Sequence, residues 1–149
     1  MIDGVLSKPL KIFPNEKGDV LCIVRCDDPF FTRFGEVYFS FIRPGFVKGW
    51  KKHLKQTQHF TVPTGQIKLV LYDDRPSSAT KGQVQEIELG RAQYNLVRIP
   101  PQVWYSFGAV GTQEALIANY TDTPHDPAET VNLDITDKTV PYAWDLAKR

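Results

Sequence analysis

GQIKLVLYDDRPSSATKG, residues 65–82, shows the pattern that decides the fold class: a short apolar run followed by a cluster of turn residues. The isoleucine, leucine and valine of its first half favour a strand, and Pro76 and Gly82 mark the turn after it. The same pattern recurs at residues 20–25, 35–42, 58–63, 83–89, 94–100, 103–110 and 114–120. Short strands separated by turn residues are typical of sandwiches and barrels, so we predict an all-β jelly-roll barrel. YAWDLAKR, residues 142–149, is the best helical stretch and predicts a short C-terminal helical turn.

The length and charge of the chain limit its organisation and its partners. A chain of 149 residues fits a single domain over residues 1–149 and is long enough to bury a hydrophobic core. A formal net charge of +1 gives no reason to expect a nucleic acid or an anionic membrane as a partner. No apolar run approaches the ~20 residues that cross a bilayer, and the opening MIDGVLSKPLKIF lacks the features of a signal peptide. We therefore expect a cytoplasmic protein.

The 65–82 stretch also resembles a sequence run of the dTDP-4-dehydrorhamnose 3,5-epimerases, a family of the cupin superfamily. Its matching residues keep the family spacing without a gap: Gly65, Asp73, Arg75, Ser78, Thr80 and Gly82. The likeness continues in RIPPQVWYSF, residues 98–107, and in ITDKTVPYAW, residues 135–144, while VKGWKKH, residues 47–53, stands where the family has L-R-G-L-H. The resemblance implies a divergent family member with the cupin jelly roll, and a homodimer in which edge strands are covered.

The resemblance also implies a reaction. The family removes a proton from a carbon beside the 4-keto group of a nucleotide-linked (dTDP-type) 6-deoxyhexose and returns a proton to the opposite face, without a metal or other cofactor. This chemistry needs a base, a group that stabilises the enolate oxygen, and an acid on the far side. A single epimerisation, or a keto shift between neighbouring carbons, would need only one face. The product would serve the assembly of a cell-surface or secondary-metabolite sugar.

His53 stands at the position of the family's base, and Asp137 at the position of the carboxylate that pairs with it. An imidazole with an ordinary pKa of ~6.5 suits proton removal near neutral pH, and a carboxylate behind it fixes its tautomer. Two other interpretations of His53 stay open: a strand histidine hydrogen-bonded to a neighbour inside the barrel, or a metal ligand. Asp137 without His53 would be an ordinary turn aspartate, so its predicted role depends on that histidine.

The other two catalytic groups have no residue at the strict family position. Lys55, two residues from His53 and on the same face of a strand, is the predicted enolate stabiliser, with a solvated lysine as the alternative. The family's tyrosine aligns with Ala118 or Asn119, neither of which can act as an acid. Tyr120 lies close by and is the predicted acid, with a packed aromatic residue as the alternative.

Five residues are predicted to bind the sugar nucleotide: Lys51, Arg43, Arg75, Trp104 and Tyr105. Lys51 would reach a diphosphate, and the two arginines would replace a family arginine that this chain lacks just before the base. Arg75 has an alternative role, because it follows Asp73 closely enough to form a buried ion pair. Trp104 would stack on a nucleobase or pack in the core.

No metal site is predicted. Cupin metal sites use two histidines spaced one residue apart and a later histidine, whereas His53 and His59 lie six positions apart and Tyr105 stands at the later position. Cys22 and Cys26 lack the additional cysteine or histidine ligands of a zinc site. On a strand the two cysteines would also be too far apart for a disulfide.

A non-catalytic binding protein is the rival interpretation. The missing arginine, lysine and tyrosine favour a cupin that binds a sugar nucleotide with a decayed catalytic set, whereas His53 and Asp137 favour the enzyme. A small structural or regulatory dimer without a nucleotide is the third alternative. His125, in the loop sequence DTPHDPAE, is interpreted as a loop residue that faces solvent or caps backbone groups.

Overall fold

Residues 1–145 are described by the computed structural model, and they form twelve strands and one 3₁₀ turn. The strands are β1 (Leu6–Pro9), β2 (Ile12–Phe13), β3 (Val20–Leu21), β4 (Glu36–Ile42), β5 (Val47–His53), β6 (Gln58–Thr64), β7 (Gln66–Tyr72), β8 (Val84–Gly90), β9 (Asn95–Ile99), β10 (Trp104–Ala109), β11 (Ala115–Thr121) and β12 (Thr130–Asn132). The 3₁₀ turn, Pro127–Glu129, lies directly before β12. No helix in this part of the chain is long and apolar enough to cross a membrane.

Two five-stranded sheets make up the body of the fold. The first sheet has the strand order β1-β9-β6-β11-β4, the second has the order β12-β5-β10-β7-β8, and β2 and β3 form a separate two-stranded ribbon. All strand pairs are antiparallel. The strands from β4 to β7 alternate between the first and the second sheet, as the chain of a jelly roll does. The predicted all-β jelly roll is confirmed.

The hydrophobic core lies between the two sheets. Alternate residues of β7, Ile67, Leu69 and Leu71, are fully buried and belong to one apolar cluster with Phe60 and Val62 of β6. The period of two in a strand places these side chains on the inner face. Their removal from water is the main force that holds the first sheet against the second.

The 65–82 stretch has a structural role at both of its ends. Gly65 has a φ of +74°, and a Cβ at this position would lie 2.6 Å from the backbone of β11, so the turn requires glycine. Further along, the buried carboxylate of Asp73 accepts hydrogen bonds from the side chains of Arg75 and Ser78. Burial alone would raise the pKa of Asp73, but these bonds hold it well below its usual range. The ion-pair alternative for Arg75 is therefore the one that the structure supports.

The segment after β12 covers the outer face of the second sheet. Trp50 of β5 is fully buried there. The ring of Tyr142 packs edge-on against it, with the ring centroids 6.2 Å apart. The indole Nε1 of Trp144 donates a hydrogen bond at 2.9 Å to a serine hydroxyl of β10, which holds the segment along the sheet. Residues 142–145 are consequently not helical, and the rest of the predicted helical turn, residues 146–149, lies outside the described residues.

A β-bulge in β5 decides which side chains enter the space between the sheets. Tyr105 of β10 lies opposite Lys51, and Phe107 lies opposite Lys48, so β5 takes three steps where β10 takes two. The extra residue interrupts the period of two. Lys48 and Lys51 therefore line the same inner face, although strict alternation would place them on opposite faces.

Candidate active site

A cavity of about 160 Å³ lies between the two sheets. Strands β4, β6 and β11 form its first wall, and β5 and β10 form its second wall. The lining residues are Tyr38, Ser40, Phe60, Ile117 and Asn119 on the first wall, and Lys48, Gly49, Lys51, Tyr105 and Phe107 on the second. A few polar groups that converge in a partly apolar enclosure are typical of a small-molecule site, so we take this cavity as the candidate active site.

His53 lies at the end of β5 next to the cavity, and its side chain is only 5 % exposed. Its Nε2 lies 3.1 Å from the hydroxyl of Tyr105, and the two rings are stacked. Its Nδ1 contacts Oε1 of Glu129, the last residue of the 3₁₀ turn. Because β12 starts at the next residue and pairs with β5, with Thr130 opposite His53, the carboxylate is placed beside the imidazole.

The second oxygen of Glu129 is fixed as well. Oε2 accepts hydrogen bonds from the backbone N–H groups of Lys55, at 3.0 Å, and of Gln56, at 3.1 Å. A carboxylate in this position can only accept, so Nδ1 of His53 carries the hydrogen. Nε2 then carries the lone pair, which points toward the hydroxyl of Tyr105, a residue that lines the cavity. This arrangement leaves an imidazole that is able to take up a proton at Nε2.

The protonation states agree with this arrangement. Burial lowers the pKa of His53, Glu129 acts in the opposite direction, and the charge of Lys51 adds to the decrease, so the imidazole is neutral near pH 7. Burial would raise the pKa of Glu129, but its hydrogen bonds from His53 and from two backbone N–H groups bring that pKa below its usual value. Burial raises the pKa of Tyr105 well above its usual value, so this phenol keeps its proton.

The structure corrects the predicted pairing of His53 with Asp137. The carboxylate of Asp137 accepts hydrogen bonds from the backbone N–H and the hydroxyl of Thr139, at 2.8 and 2.7 Å, and caps a turn. The place predicted for Asp137 is taken by Glu129. The reason is topological: β12, and not the later segment ITDKTVPYAW, pairs with β5 at His53. In the sequence DPAETVN the only signal for Glu129 is a carboxylate directly before a strand.

The predicted enolate stabiliser, Lys55, lies outside the cavity. It follows the end of β5, and its side chain is exposed. Its only contribution to the site is the hydrogen bond that its backbone N–H donates to Glu129. Lys48 and Lys51 reach the cavity instead. Nζ of Lys48 donates a hydrogen bond to the hydroxyl of Ser40 at 2.6 Å, and burial, followed by the charge of Lys51, lowers the pKa of Lys48. Strict alternation along the sequence would place Lys48 on the outer face of β5, and only the bulge brings it to the inner face.

The predicted acid, Tyr120, faces away from the cavity. Ile117 and Asn119 of β11 line the cavity, so the period of two turns Tyr120 to the outer side of the first sheet. There its ring stacks on His59 with centroids 4.6 Å apart, and its hydroxyl donates to the backbone carbonyl of Arg33. The packing of Tyr120 therefore fits the packed-aromatic alternative.

Two of the five predicted binding residues, Lys51 and Tyr105, line the cavity, and the other three do not. Arg43 is exposed, and its guanidinium lies 3.8 Å from a glutamate carboxylate. Arg75 is engaged in the ion pair of the 65–82 stretch. Trp104 precedes Tyr105 on β10, faces the other side of the sheet, and donates from Nε1 to an aspartate at 2.7 Å.

The histidines are not arranged as metal ligands. Within residues 1–145, no group of three or more histidine, cysteine, aspartate or glutamate side chains is positioned to hold a metal ion. His59 is fully buried on the outer side of the first sheet, where Nδ1 donates to the backbone carbonyl of Tyr120 at 3.0 Å. His53 and His59 thus occupy separate places in the fold. Cys22 and Cys26 are both free thiols.

Comparison with known sequences identifies the family. The family model described as dTDP-4-dehydrorhamnose 3,5-epimerase matches residues 3–149. The "Probable low-salt glycan biosynthesis epimerase Agl13" of Haloferax volcanii is 32 % identical over 127 residues, which cover 84 % of this chain and 81 % of the relative. The spore coat polysaccharide biosynthesis protein SpsL of Bacillus subtilis is 31 % identical over 151 residues, which cover 100 % of both chains.

Comparison with solved structures leads to the same family. The crystal structure of a dTDP sugar isomerase from Desulfovibrio desulfuricans is 44 % identical in sequence and has a TM-score of 0.95, covering 99 % of this chain and 94 % of that one. The likeness therefore extends over nearly the whole fold. The chain belongs to the dTDP-4-dehydrorhamnose 3,5-epimerase family, a family of sugar-nucleotide epimerases.

Proposed function

We propose that this protein takes a proton from a carbon beside the 4-keto group of a dTDP-linked 6-deoxyhexose and inverts that carbon, with His53 as the base. One observation carries the proposal: a buried imidazole is held at Nδ1 by the charged Glu129, while its Nε2 lies 3.1 Å from the hydroxyl of Tyr105, a residue that lines the cavity. In hydrolases with a catalytic triad, a carboxylate bonded to one ring nitrogen likewise holds the histidine in the tautomer that acts as the general base. Family membership supports the substrate class.

The base acts through Nε2. When the sugar enters the cavity, its carbon replaces the Tyr105 hydroxyl at Nε2 of His53, and the displaced hydroxyl hydrogen-bonds a sugar oxygen instead. The C–H proton passes to Nε2, and the electrons of that bond form the enolate. The carboxylate of Glu129 stabilises the imidazolium that results. Tyr105 is thus a substrate-binding residue in this proposal.

Lys51 stabilises the enolate oxygen in place of Lys55. It shares the inner face of β5 with His53, and its charge is close enough to lower the pKa of that histidine. An ammonium at this point lies beside the oxygen that becomes negative as the C–H bond breaks. Lys48 adds a second positive charge to the cavity wall, which favours an anionic substrate.

The biological process is proposed from the two curated relatives. One is named for the biosynthesis of a glycan and the other for the biosynthesis of a spore coat polysaccharide. We assign the product of this chain to the same class of process, the assembly of a glycan or polysaccharide that contains an inverted deoxyhexose. Sugar analysis of the glycans of a host that lacks this protein tests the assignment, because the inverted sugar should be missing.

Proton exchange in D₂O tests the reaction itself. We expect that ¹H NMR of dTDP-4-keto-6-deoxyglucose with the protein shows loss of the signal at C3 or C5, much faster than in buffer. Formation of an inverted product is followed in H₂O by the appearance of its methyl and anomeric signals. If neither carbon exchanges at high protein concentration while dTDP still binds, the cupin with a decayed catalytic set becomes the better interpretation.

Lys51→Met should lower the exchange rate at saturating substrate by about 10²-fold, because the enolate loses its positive partner. The same change should move the acidic limb of the kcat/KM profile to higher pH. Since Lys51 lowers the pKa of His53, its removal raises that pKa, and a higher pH is then needed to keep the base neutral. Lys55→Met is the matched control and should stay within twofold of the wild type. Equal losses in both variants would refute the assignment of Lys51.

A homodimer is proposed as the assembly. Strand β4 lies at the edge of the first sheet, and its outward side chains Val37, Phe39 and Phe41 are more than half exposed, at 52, 62 and 56 %. An unpaired, apolar edge strand needs a cover, and the same edge of a second copy of this chain supplies one. Light scattering should give twice the 17.0 kDa chain mass, and Phe39→Glu should return the mass of a monomer. A wild-type protein that is monomeric at micromolar concentration would exclude this assembly.

A further inference from the structure

A hydroxyl group on the first wall of the cavity faces the wall that carries the base. Tyr38 of β4 lies directly opposite Asn119 of β11 in the antiparallel ladder, and both side chains line the cavity. His53 and Tyr105 belong to the second sheet. A sugar ring bound between the sheets would therefore have Tyr38 on one face and, on the other, Tyr105 with the hydrogen-bonded His53 behind it.

The hydrogen bonds around Tyr38 leave its proton available. Nδ2 of Asn119 donates to the Tyr38 hydroxyl oxygen at 2.7 Å and to Oε1 of Gln58 at 2.6 Å. Oδ1 of Asn119 accepts from the backbone N–H of His59 at 3.1 Å, so the amide is fixed in this orientation. Because the phenol oxygen accepts from Asn119, its own hydrogen points elsewhere, and among residues 1–145 no acceptor within hydrogen-bond distance takes it. Since the side chain of Tyr38 lines the cavity, this hydrogen is available to a molecule bound there.

The other hydroxyl groups in the cavity are unsuited to this role. Ser40, on the same strand as Tyr38, accepts a hydrogen bond from Lys48, and an aliphatic alcohol is a far weaker acid than a phenol. Tyr105 lies on the same side as His53 and is bonded to it. Tyr120 faces the outer side of the first sheet. Within the described lining of the cavity, Tyr38 is the phenol on the far wall.

We propose that Tyr38 is the catalytic acid that returns a proton to the sugar carbon on the face opposite His53; this inference rests on the proposed function. His53 takes the C–H proton, and the enolate forms with its oxygen beside Lys51. The enolate carbon then takes the phenolic proton of Tyr38 from the other face, which restores the ketone with inverted configuration. The phenolate that remains accepts the N–H of Asn119. Exchange with water deprotonates His53 and reprotonates Tyr38 before the next turnover.

The ionisation behaviour of Tyr38 suits a proton donor. Burial raises the pKa of Tyr38, the hydrogen bond from Asn119 opposes this, and the charge of Glu36 raises it further. The net increase keeps the phenol protonated at neutral pH, so the proton is present when the enolate forms. The N–H of Asn119 meanwhile stabilises the phenolate, so the phenol remains acidic enough to give its proton to the enolate carbon.

Tyr38→Phe tests the proposal by separating proton removal from inversion. We expect that deuterium still enters the substrate in D₂O at a rate within about tenfold of the wild type, because His53 can return deuterium to the face from which it took the proton. Formation of the inverted product in H₂O should fall at least about 10²-fold. Tyr142→Phe is the matched control: its hydroxyl bonds Glu86 outside the cavity, and both rates should stay at the wild-type level.

Each outcome has a distinct meaning. Exchange without inversion in Tyr38→Phe supports the assignment. Unchanged inversion overturns it, and so does loss of both rates in a variant that still binds dTDP, because Tyr38 would then act in proton removal. If the wild type itself shows no exchange, the proposed function fails, whereas wild-type exchange with normal inversion in Tyr38→Phe refutes the role of Tyr38 alone.

Discussion

Replacing His53 with asparagine is expected to lower the exchange of C–H protons in dTDP-4-keto-6-deoxyglucose by about 10⁴-fold, the upper range for loss of a general base. Asparagine keeps a polar amide of similar size in the buried site but has no lone pair that can take a proton near neutral pH. The Kd for dTDP, measured by titration calorimetry, should stay within about threefold, since the imidazole is buried and contacts Glu129 and Tyr105 inside the protein.

The control for this variant is His125→Asn, which makes the same chemical change at an exposed loop position. It should leave dTDP binding unchanged and exchange within about twofold at neutral pH, because the charge of His125 is the least of the causes that lower the pKa of His53. Retained exchange in His53→Asn would remove His53 from the base role. A parallel loss of exchange and of dTDP binding would point to damage of the fold, and the melting temperature of the variant distinguishes that case.

The sequence predicts the fold class well, because the signals for it are local. Eight predicted strands with turn residues between them are enough to indicate a jelly roll, and Gly65 marks a turn that only glycine fits. The predicted strands lack β5, whose lysine-rich sequence VKGWKKH has no regular alternation, because a bulge between Lys48 and Lys51 interrupts it. They also lack β1, β2 and β12, which are short and are held by their pairing partners more than by their own sequence.

The sequence predicts the candidate site less completely, because the site depends on which strands become neighbours. His53, Lys51 and Tyr105 are found by position and residue type. Glu129 is missed because its place beside His53 follows from the pairing of β12 with β5. Tyr38 is missed because only the register of β4 against β11 places it at the cavity. Side chains that meet across a sheet leave no spacing pattern along the chain.

Glu129→Gln is expected to lower the exchange rate at saturating substrate by about 10³-fold, whereas Asp137→Asn should stay within twofold of the wild type. The two substitutions make the same carboxylate-to-amide change, so they test directly which residue pairs with His53. The comparison matters because Asp137 is the carboxylate that the sequence predicts, and Glu129 is the one that the structure places against Nδ1.

The expected loss of exchange rate in Glu129→Gln follows from the number of side-chain oxygens that can accept a hydrogen bond. Oε1 of Glu129 accepts from His53, and Oε2 accepts from the backbone N–H groups of Lys55 and Gln56. A glutamine has one oxygen for these two tasks. If its oxygen stays on the backbone, its NH₂ faces Nδ1 and forces the hydrogen of His53 onto Nε2, where it blocks proton removal. If its oxygen stays on Nδ1, two backbone donors lose their partner, at a cost of about 1–3 kcal/mol each when buried.

The pH dependence of the exchange rate distinguishes two effects of Glu129→Gln: loss of the His53 tautomer that accepts a proton at Nε2, and a shift in the pKa of His53. Glu129 raises the pKa of His53, so its neutralisation lowers that pKa further, and the imidazole stays neutral throughout the neutral range. Raising the pH should therefore not restore exchange in Glu129→Gln. A rate that recovers to the wild-type level at higher pH would mean that the carboxylate acts only through its charge. A large loss in Asp137→Asn, with Glu129→Gln active, would mean that the pairing changes when substrate binds and that the sequence prediction describes the working enzyme.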